Sequence, residues 1–267
     1  TENVILTAVL AQGKTRLTNA AIEPEIANLI GMLTAMGAAI RCDSSSRFME
    51  ITGVSRLRGV THRVIPDRIE TVSFATAALA TGGNVLVRGV LTADIERFID
   101  MIRAMEGRVE VLPDGVRFSS TPSYRPTVIE AAPHPGFLTD WQPPVSILLT
   151  KANGASIIHE TVHEDRFGYV KDLRRMGAEI AISDECLGGP PCRFVNRTFN
   201  HSARIMGPTR LRGADLKMTD IRAGMAHVIA ALAAEGESVI SGVEHIDRGY
   251  EKIDERLRAL GADIRRV

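Results

Sequence analysis

The feature that most constrains the fold of this chain is a passage that occurs four times. Each copy consists of an apolar helix-like run, a stop containing glycine, a strand-like run and an amphipathic helix that ends near glycine. The distance from the middle glycine to the final glycine is 24, 24, 23 and 25 residues in the copies 13–37, 83–107, 154–177 and 236–261. This regularity predicts an α/β protein built from repeated units.

The interval between the last two copies is longer than the others. The final glycines Gly37, Gly107, Gly177 and Gly261 are separated by 70, 70 and 84 residues. The extra residues are assigned to the stretch DECLGGPPCRFVNRTFNHSA at 184–203.

Each copy also predicts its own elements. The β-branched segments 48–54, 85–90, 156–159 and 238–243 are predicted to be strands. The run around Val228 and Ile229 is apolar on all sides, which is typical of a buried helix. Ile253, Leu257 and Leu260 recur at helical spacing among charged residues and predict the buried face of a surface helix.

An aspartate precedes three of the predicted buried helices: Asp67, Asp140 and Asp220. The simple interpretation is that each is an N-cap whose carboxylate accepts hydrogen bonds from the first turn. The alternative is that the three helices pack around a common axis. Their positive amino ends would then converge into a binding site for phosphate or carboxylate.

Composition narrows the function classes. Lys plus Arg and Asp plus Glu both number 32, so no basic field for nucleic acid is expected. Apolar runs stay below the roughly 20 residues needed to span a bilayer, so a cytoplasmic enzyme without a membrane partner is expected. Cys42, Cys186 and Cys192 have no zinc-like spacing and are interpreted as free thiols, with no metal. No histidine is assigned a functional role.

The first copy enters its helix at once, from Thr1, without a preceding strand. Because terminal units of repeat proteins normally carry a cap, a further segment is expected upstream.

Together, the motifs VIPDRIET, APHPGFLTDWQ, HETVHEDRF, GPTRLRG, MTDIRAG and HIDRGYEKIDERLRALGADI resemble the UDP-N-acetylglucosamine enolpyruvyl transferase family. The resemblance covers nearly the whole chain except the insertion. It implies inside-out α/β barrels made of βαβαββ-like units, with the active site between two domains. Residues 1–62 would be the last unit of an N-terminal-side domain, and 63–267 a complete three-unit domain.

The resemblance also implies a reaction, transfer of the enolpyruvyl group of phosphoenolpyruvate to a hydroxyl of UDP-N-acetylglucosamine, without a cofactor. Asp140 matches the aspartate that contacts the sugar hydroxyl and serves as general base. Arg166 and Arg248 match arginines that hold the phosphoenolpyruvate anion. The remaining matches are cleft residues and residues that flank the nucleotide: Asp220, Arg222, Thr161 and Val162. The alternative for the two arginines is ordinary ion pairing with Glu164 and Asp247.

Some family features are expected upstream, among them the lysine, the mobile loop and a further arginine used in the reaction. The isolated chain is therefore expected to be inactive. WQPP after Asp140, and His163, depart from the family near the acceptor positions. Two alternatives stay open: transfer to another uridine nucleotide, and a silent binding module that pairs with a separate N-terminal half.

Overall fold

The structure is a computed structural model that describes residues 1–189 and 192–267. Pro190 and Pro191, within the predicted insertion, lie outside the described residues. The chain divides into two compact units. The first contains Thr1–Pro66 and Pro133–Pro135, and the second contains Asp67–Ala132 and Gly136–Val267. The sequence-based boundary lies after residue 62.

The first unit consists of two helices and a three-stranded antiparallel sheet. The elements are α1 (Glu2–Ala8), β1 (Lys14–Leu17), α2 (Pro24–Ala35), β2 (Ala39–Asp43) and β3 (Phe48–Thr52). The strand order is β1-β3-β2. Ile5, Leu33, Met49 and Ile51 form its buried core.

The second unit starts with two helices, a three-stranded sheet and a further strand: α3 (Arg68–Ala80), β4 (Asn84–Arg88), α4 (Glu96–Ala104), β5 (Arg108–Leu112), β6 (Gly115–Ser119) and β7 (Val128–Ala131). It continues with α5 (Gln142–Leu149), β8 (Gly154–Glu160), α6 (Val170–Arg175), β9 (Glu179–Ser183) and β10 (Ser202–Gly207). It ends with β11 (Asp215–Lys217), α7 (Ile221–Ala233), β12 (Val239–Ser241), α8 (Glu244–Asp247) and α9 (Ile253–Ala259). The α/β class predicted from the sequence is confirmed.

The same strand order recurs along the chain. The sheets β1-β3-β2 and β4-β6-β5 match the β8-β10-β9 part of a four-stranded sheet. In each, the first strand pairs antiparallel with the second strand of the hairpin that follows. β7 pairs parallel with β8, and β11 pairs parallel with β12.

The predicted insertion lies in one hairpin. Residues 113–114 connect β5 to β6 and residues 44–47 connect β2 to β3, whereas 184–201 separate β9 from β10. A hairpin connection tolerates such length because extra loop residues add little closure entropy.

Three buried helices form the centre of the second unit. α3, α5 and α7 pack against one another, and every residue of α5 is buried. Burial of each Leu or Ile side chain contributes about 1.5–3 kcal/mol. In α9, Ile253 and Leu257 are buried as predicted. The prediction for Leu260 is wrong: α9 ends at Ala259, and Leu260 is 59% exposed.

Within the described part of the chain, no helix combines the length and the hydrophobicity needed to cross a membrane.

Candidate functional site

The amino ends of α3, α5 and α7 lie close together. The guanidinium of Arg68, the first residue of α3, is 5.9 Å from the ring centroid of Trp141, which directly precedes α5. Arg222, in the first turn of α7, forms an ion pair with Asp140 in the 3-10 turn Thr139–Trp141. The convergence considered from the sequence is therefore present in the structure. Because each helix carries a partial positive charge at its amino end, three such charges lie close together here.

Two of the three aspartates are N-caps. Asp67 Oδ1 accepts hydrogen bonds from the amides of Ile69 and Glu70, at 2.7 and 3.1 Å. Asp220 Oδ1 accepts from the amides of Arg222 and Ala223, at 2.8 and 2.9 Å. The capping interpretation is confirmed for these two positions.

Asp140 has a different role, so the capping interpretation is wrong for it. Its carboxylate makes no cap hydrogen bond within the described chain and lies between two arginines. Asp140 Oδ1 is 2.5 Å from Arg166 Nη2, and Oδ2 is 3.0 Å from Arg222 Nη2. The three side chains are only 27%, 12% and 22% exposed, so solvent screens these pairs less than it screens surface pairs.

Backbone geometry directs Arg166 to this position. Asp165, just before it, has φ of +51°, a left-handed conformation that aspartate tolerates better than most residues. The 3-10 turn Arg166–Tyr169 follows. Across the residues the structure describes, Arg166 forms its ion pair with Asp140 and none with Glu164, so the alternative of ordinary pairing with Glu164 is wrong. The buried Nε of Arg166 has no acceptor among these residues.

Arg248 is exposed and follows α8. In the described ranges it has no ion pair, and its expected neighbour Asp247 pairs with Arg266 at 2.8 Å. Gly249 packs against the Ile221 side chain at the start of α7. The structure therefore puts the Arg248 segment beside α7, but it records no contact between Arg248 and Asp140.

Glu160, at the end of β8, is a buried acid that the sequence interpretation missed. Its Oε1 accepts from the amides of Val162 and His163, at 2.8 and 3.0 Å, and its Oε2 accepts from the Thr139 hydroxyl at 2.8 Å. Glu160 thus connects the turn containing Asp140 to the segment containing Val162. Glu160 occurs in the HETVHEDRF motif, but its burial was not visible in the sequence.

Thr161 and Val162 belong to this same segment. The Thr161 hydroxyl donates to the carbonyl of Ala131 at 2.5 Å, which joins the end of β8 to the end of β7. Both residues are partly exposed.

Two buried tyrosines contact the helices α5 and α3 near the site. Tyr169 lies 3.2 Å from Gln142 Oε1, and Tyr250 lies 2.8 Å from Ser73 Oγ. Burial raises the pKa of both phenols, so both act as neutral hydrogen-bonding groups at ordinary pH.

This arrangement of charges determines which chemistry the site can support. One carboxylate lies between two guanidinium groups, so these three side chains together carry a net charge of +1. Each guanidinium has five N–H donors and uses only part of them on Asp140. The site is suited to hold an anion next to a carboxylate that can accept a proton.

The chain resembles known proteins along almost its whole length. The EPSP synthase family (3-phosphoshikimate 1-carboxyvinyltransferase) matches residues 1–257. UDP-N-acetylglucosamine 1-carboxyvinyltransferase of Protochlamydia amoebophila is 44% identical over 99% of the chain and 57% of its own length. The protein of the same name from Chlamydia abortus is 44% identical over 99% of the chain and 60% of its own length. The chain thus spans well under two thirds of these curated relatives.

Solved structures agree. The enolpyruvyl transferase NikO from Streptomyces tendae superposes with a TM-score of 0.83 at 28% identity, covering 99% of the chain and 59% of that structure. EPSP synthase from Acinetobacter baumannii shares the fold, with a TM-score of 0.70 at 20% identity over 99% of the chain and 60% of that structure. From the family match and the 44% identity, the chain belongs to the EPSP synthase family of enolpyruvyl transferases.

Proposed function

We propose that this chain is part of an enzyme that transfers the enolpyruvyl group of phosphoenolpyruvate to a hydroxyl of UDP-N-acetylglucosamine, in peptidoglycan precursor synthesis in the cytoplasm. The observation that carries the proposal is the carboxylate of Asp140 held between Arg166 and Arg222 where three helix amino ends meet. The names of the relatives at 44% identity support this acceptor.

The reaction needs only acid–base chemistry and stabilisation of anions. The acceptor hydroxyl loses its proton as its oxygen attacks the central carbon of phosphoenolpyruvate, while the methylene carbon gains a proton. The tetrahedral intermediate then loses a methyl proton and phosphate to give the enol ether. A carboxylate beside the hydroxyl and cations beside the phosphate and carboxylate suit both steps, and no cofactor is required.

The described residues divide these tasks. Asp140 serves as general base to the acceptor hydroxyl, and Arg166 binds the anionic donor through N–H groups not used on Asp140. Asp220 orders the first turn of α7, which positions Arg222. Arg248 is assigned to the same anion on the resemblance and on the packing of its segment against α7. Thr161 and Val162 flank the nucleotide, on a segment fixed by Glu160.

For the architecture, we infer four repeated units, with 63–267 forming an inside-out α/β barrel domain and 1–62 the last unit of another. The recurring strand order and the mutual packing of α3, α5 and α7 support this assignment.

A second candidate keeps the donor and changes the acceptor to another uridine nucleotide. Two observations favour it: the similarity to NikO, and the sequence WQPP directly after Asp140, whose residues are buried at the start of α5. The higher identity to the UDP-N-acetylglucosamine enzymes favours the first candidate.

The test is phosphate release from phosphoenolpyruvate by the complete gene product that contains these residues, with UDP-N-acetylglucosamine or UMP as acceptor. Turnover with the UDP-sugar is expected, and turnover with UMP alone would establish the second candidate. Asp140→Asn and Arg166→Ala are each expected to lower kcat about 10²–10³-fold, since each removes one oriented charge from the site.

The matched controls are Asp114→Asn and Arg88→Ala, from an exposed ion pair of the same type at 3.4 Å. Both should retain full activity. Equal activity of the Asp140 and Asp114 variants would remove Asp140 from the mechanism.

A further inference from the structure

The insertion between β9 and β10 brings two cysteines next to two histidines that are distant in sequence. Cys186 and Cys192 belong to the insertion, His201 directly precedes β10, and His159 lies in β8 opposite Ser202. One ligand atom from each of the four side chains lies within 4.8 Å of the other three. We call these four residues the Cys/His cluster.

Two sulfur–nitrogen distances within the Cys/His cluster fit edges of a coordination tetrahedron. His159 Nε2 is 3.3 Å from Cys192 Sγ, and His201 Nε2 is 3.4 Å from Cys186 Sγ. A tetrahedral zinc ion with Zn–S of about 2.3 Å and Zn–N of about 2.0 Å separates sulfur from nitrogen by about 3.5 Å.

Both histidines are set in the tautomer that binds a metal through Nε2. His159 Nδ1 is 3.0 Å from Glu130 Oε2, and His201 Nδ1 is 3.1 Å from the carbonyl oxygen of Phe199. Because these oxygens accept hydrogen bonds, each Nδ1 donates its proton, and in the neutral imidazole the lone pair then lies on Nε2. A carboxylate or carbonyl behind the ligating histidine is the usual arrangement around protein-bound zinc.

The Cys/His cluster is closed on its histidine side, whereas Cys186 and Cys192 are partly exposed. His159 and His201 are completely buried, and the ring of Phe194 packs against His201 at 5.8 Å between centroids. Gly188 lies so close to His159 Nδ1 and Glu130 Oε2 that a Cβ there would collide with both. The amide of Gly189 also donates to Glu130 at 3.1 Å, so the insertion is fitted around this histidine.

We propose that Cys186, Cys192, His159 and His201 form a structural zinc site that orders the insertion. Two thiolates and two neutral imidazoles in a tetrahedron are a ligand set typical of zinc. Two thiolates also neutralise the ion, which suits a buried position. All four ligand positions come from protein, so the site has no open position for catalysis.

The insertion has little else in the described structure to hold it in one conformation. Residues 184–189 and 192–201 contain no helix or strand, and Phe194 is their one buried apolar side chain. Binding free energy of a structural metal can supply the order that so small a core does not. As expected from the sequence, Cys42, Cys186 and Cys192 are free of disulfides. The proposal changes the expectation of no metal, and it does so for Cys186 and Cys192.

The experiment measures metal in the purified 267-residue chain, made without a polyhistidine tag and kept reduced. About one zinc per chain should remain after exhaustive dialysis, detected by mass spectrometry of the elements. Cys192→Ser and His201→Gln should reduce this to background, whereas Cys42→Ser, at an exposed cysteine outside the cluster, should keep it. Wild-type zinc that dialyses away, or equal zinc in wild type and Cys192→Ser, would refute the site.

A second measurement needs no variant and so does not depend on whether the variants fold. Reconstitution of the wild-type chain with Co²⁺ alone should give thiolate-to-cobalt charge-transfer bands and the intense visible bands of tetrahedral cobalt. Chelation should accelerate hydrogen exchange in residues 184–201 but leave β4–β6 unchanged. A Cys186–Cys192 disulfide in the reduced preparation, or octahedral cobalt, would overturn the proposal. None of these readouts uses turnover, so the proposed enzymatic function is tested separately.

Discussion

Single residues of the same type take different roles in this chain because their neighbours differ. Asp67 and Asp220 cap α3 and α7, whereas Asp140 binds Arg166 and Arg222. Asp140 lies in a 3-10 turn before its helix, so its carboxylate is not aligned with free amides of the first turn. In this one copy, the aspartate before the helix therefore forms ion pairs instead of a cap.

Also at the residue scale, the buried hydrogen bond between Ser73 and Tyr250 should contribute to stability. It joins α3 to the segment that follows α8, at 2.8 Å, with both side chains almost fully buried. Ser73→Ala and Tyr250→Phe are each expected to lower the free energy of unfolding by about 1–3 kcal/mol, because each leaves a buried hydroxyl without a partner.

The double variant should cost less than the sum of the two single changes, by a coupling of about 0.5–3 kcal/mol. Chemical denaturation of the four proteins measures this cycle. Strictly additive effects would mean that the two hydroxyls do not interact in solution.

At the scale of elements, the caps of α3 and α7 should stabilise the protein through their hydrogen bonds more than through their negative charge. Asp220→Ala and Asp67→Ala each remove a side chain that accepts two amide hydrogen bonds. Each is expected to cost about 1 kcal/mol, which lowers Tm by about 2–4 °C for a domain of this size.

The matched variants Asp220→Asn and Asp67→Asn should retain most of the stability, since asparagine caps about as well as aspartate. Thermal unfolding, monitored by circular dichroism, distinguishes the two Asn variants from the two Ala variants. If the Asn and Ala variants lose the same stability, the contribution comes from charge and not from capping.

For the whole molecule, the relevant fact is that the chain spans 57–60% of the length of its curated relatives. In the family that the chain resembles, a lysine and a mobile loop take part in the reaction, and the resemblance matches neither of them to a residue of this chain. We therefore expect the 267-residue chain alone to release no phosphate above the background of its Asp140→Asn variant, with either acceptor present.

Calorimetric titration with UDP-N-acetylglucosamine should accompany this assay, because binding without turnover distinguishes an incomplete site from an unfolded protein. Phosphate release by the wild-type chain that Asp140→Asn abolishes would show that the described residues suffice for the reaction.

The sequence by itself determined the features that depend on nearby residues. The strands near 48–54 and 156–159 follow from β-branched runs bounded by glycine, and the place of the extra residues between β9 and β10 follows from glycine spacing. The caps at Asp67 and Asp220 follow from local hydrogen bonding.

Only the tertiary structure decided which distant side chains meet. Asp140 contacts an arginine 26 residues away, and His159 lies beside a cysteine 33 residues away. Such contacts depend on how α3, α5 and α7 converge and on how the insertion folds over β8. Local periodicity carries no information on these lateral distances, and Cys186 and Cys192 showed no recognisable ligand spacing until the fold brought two histidines to them.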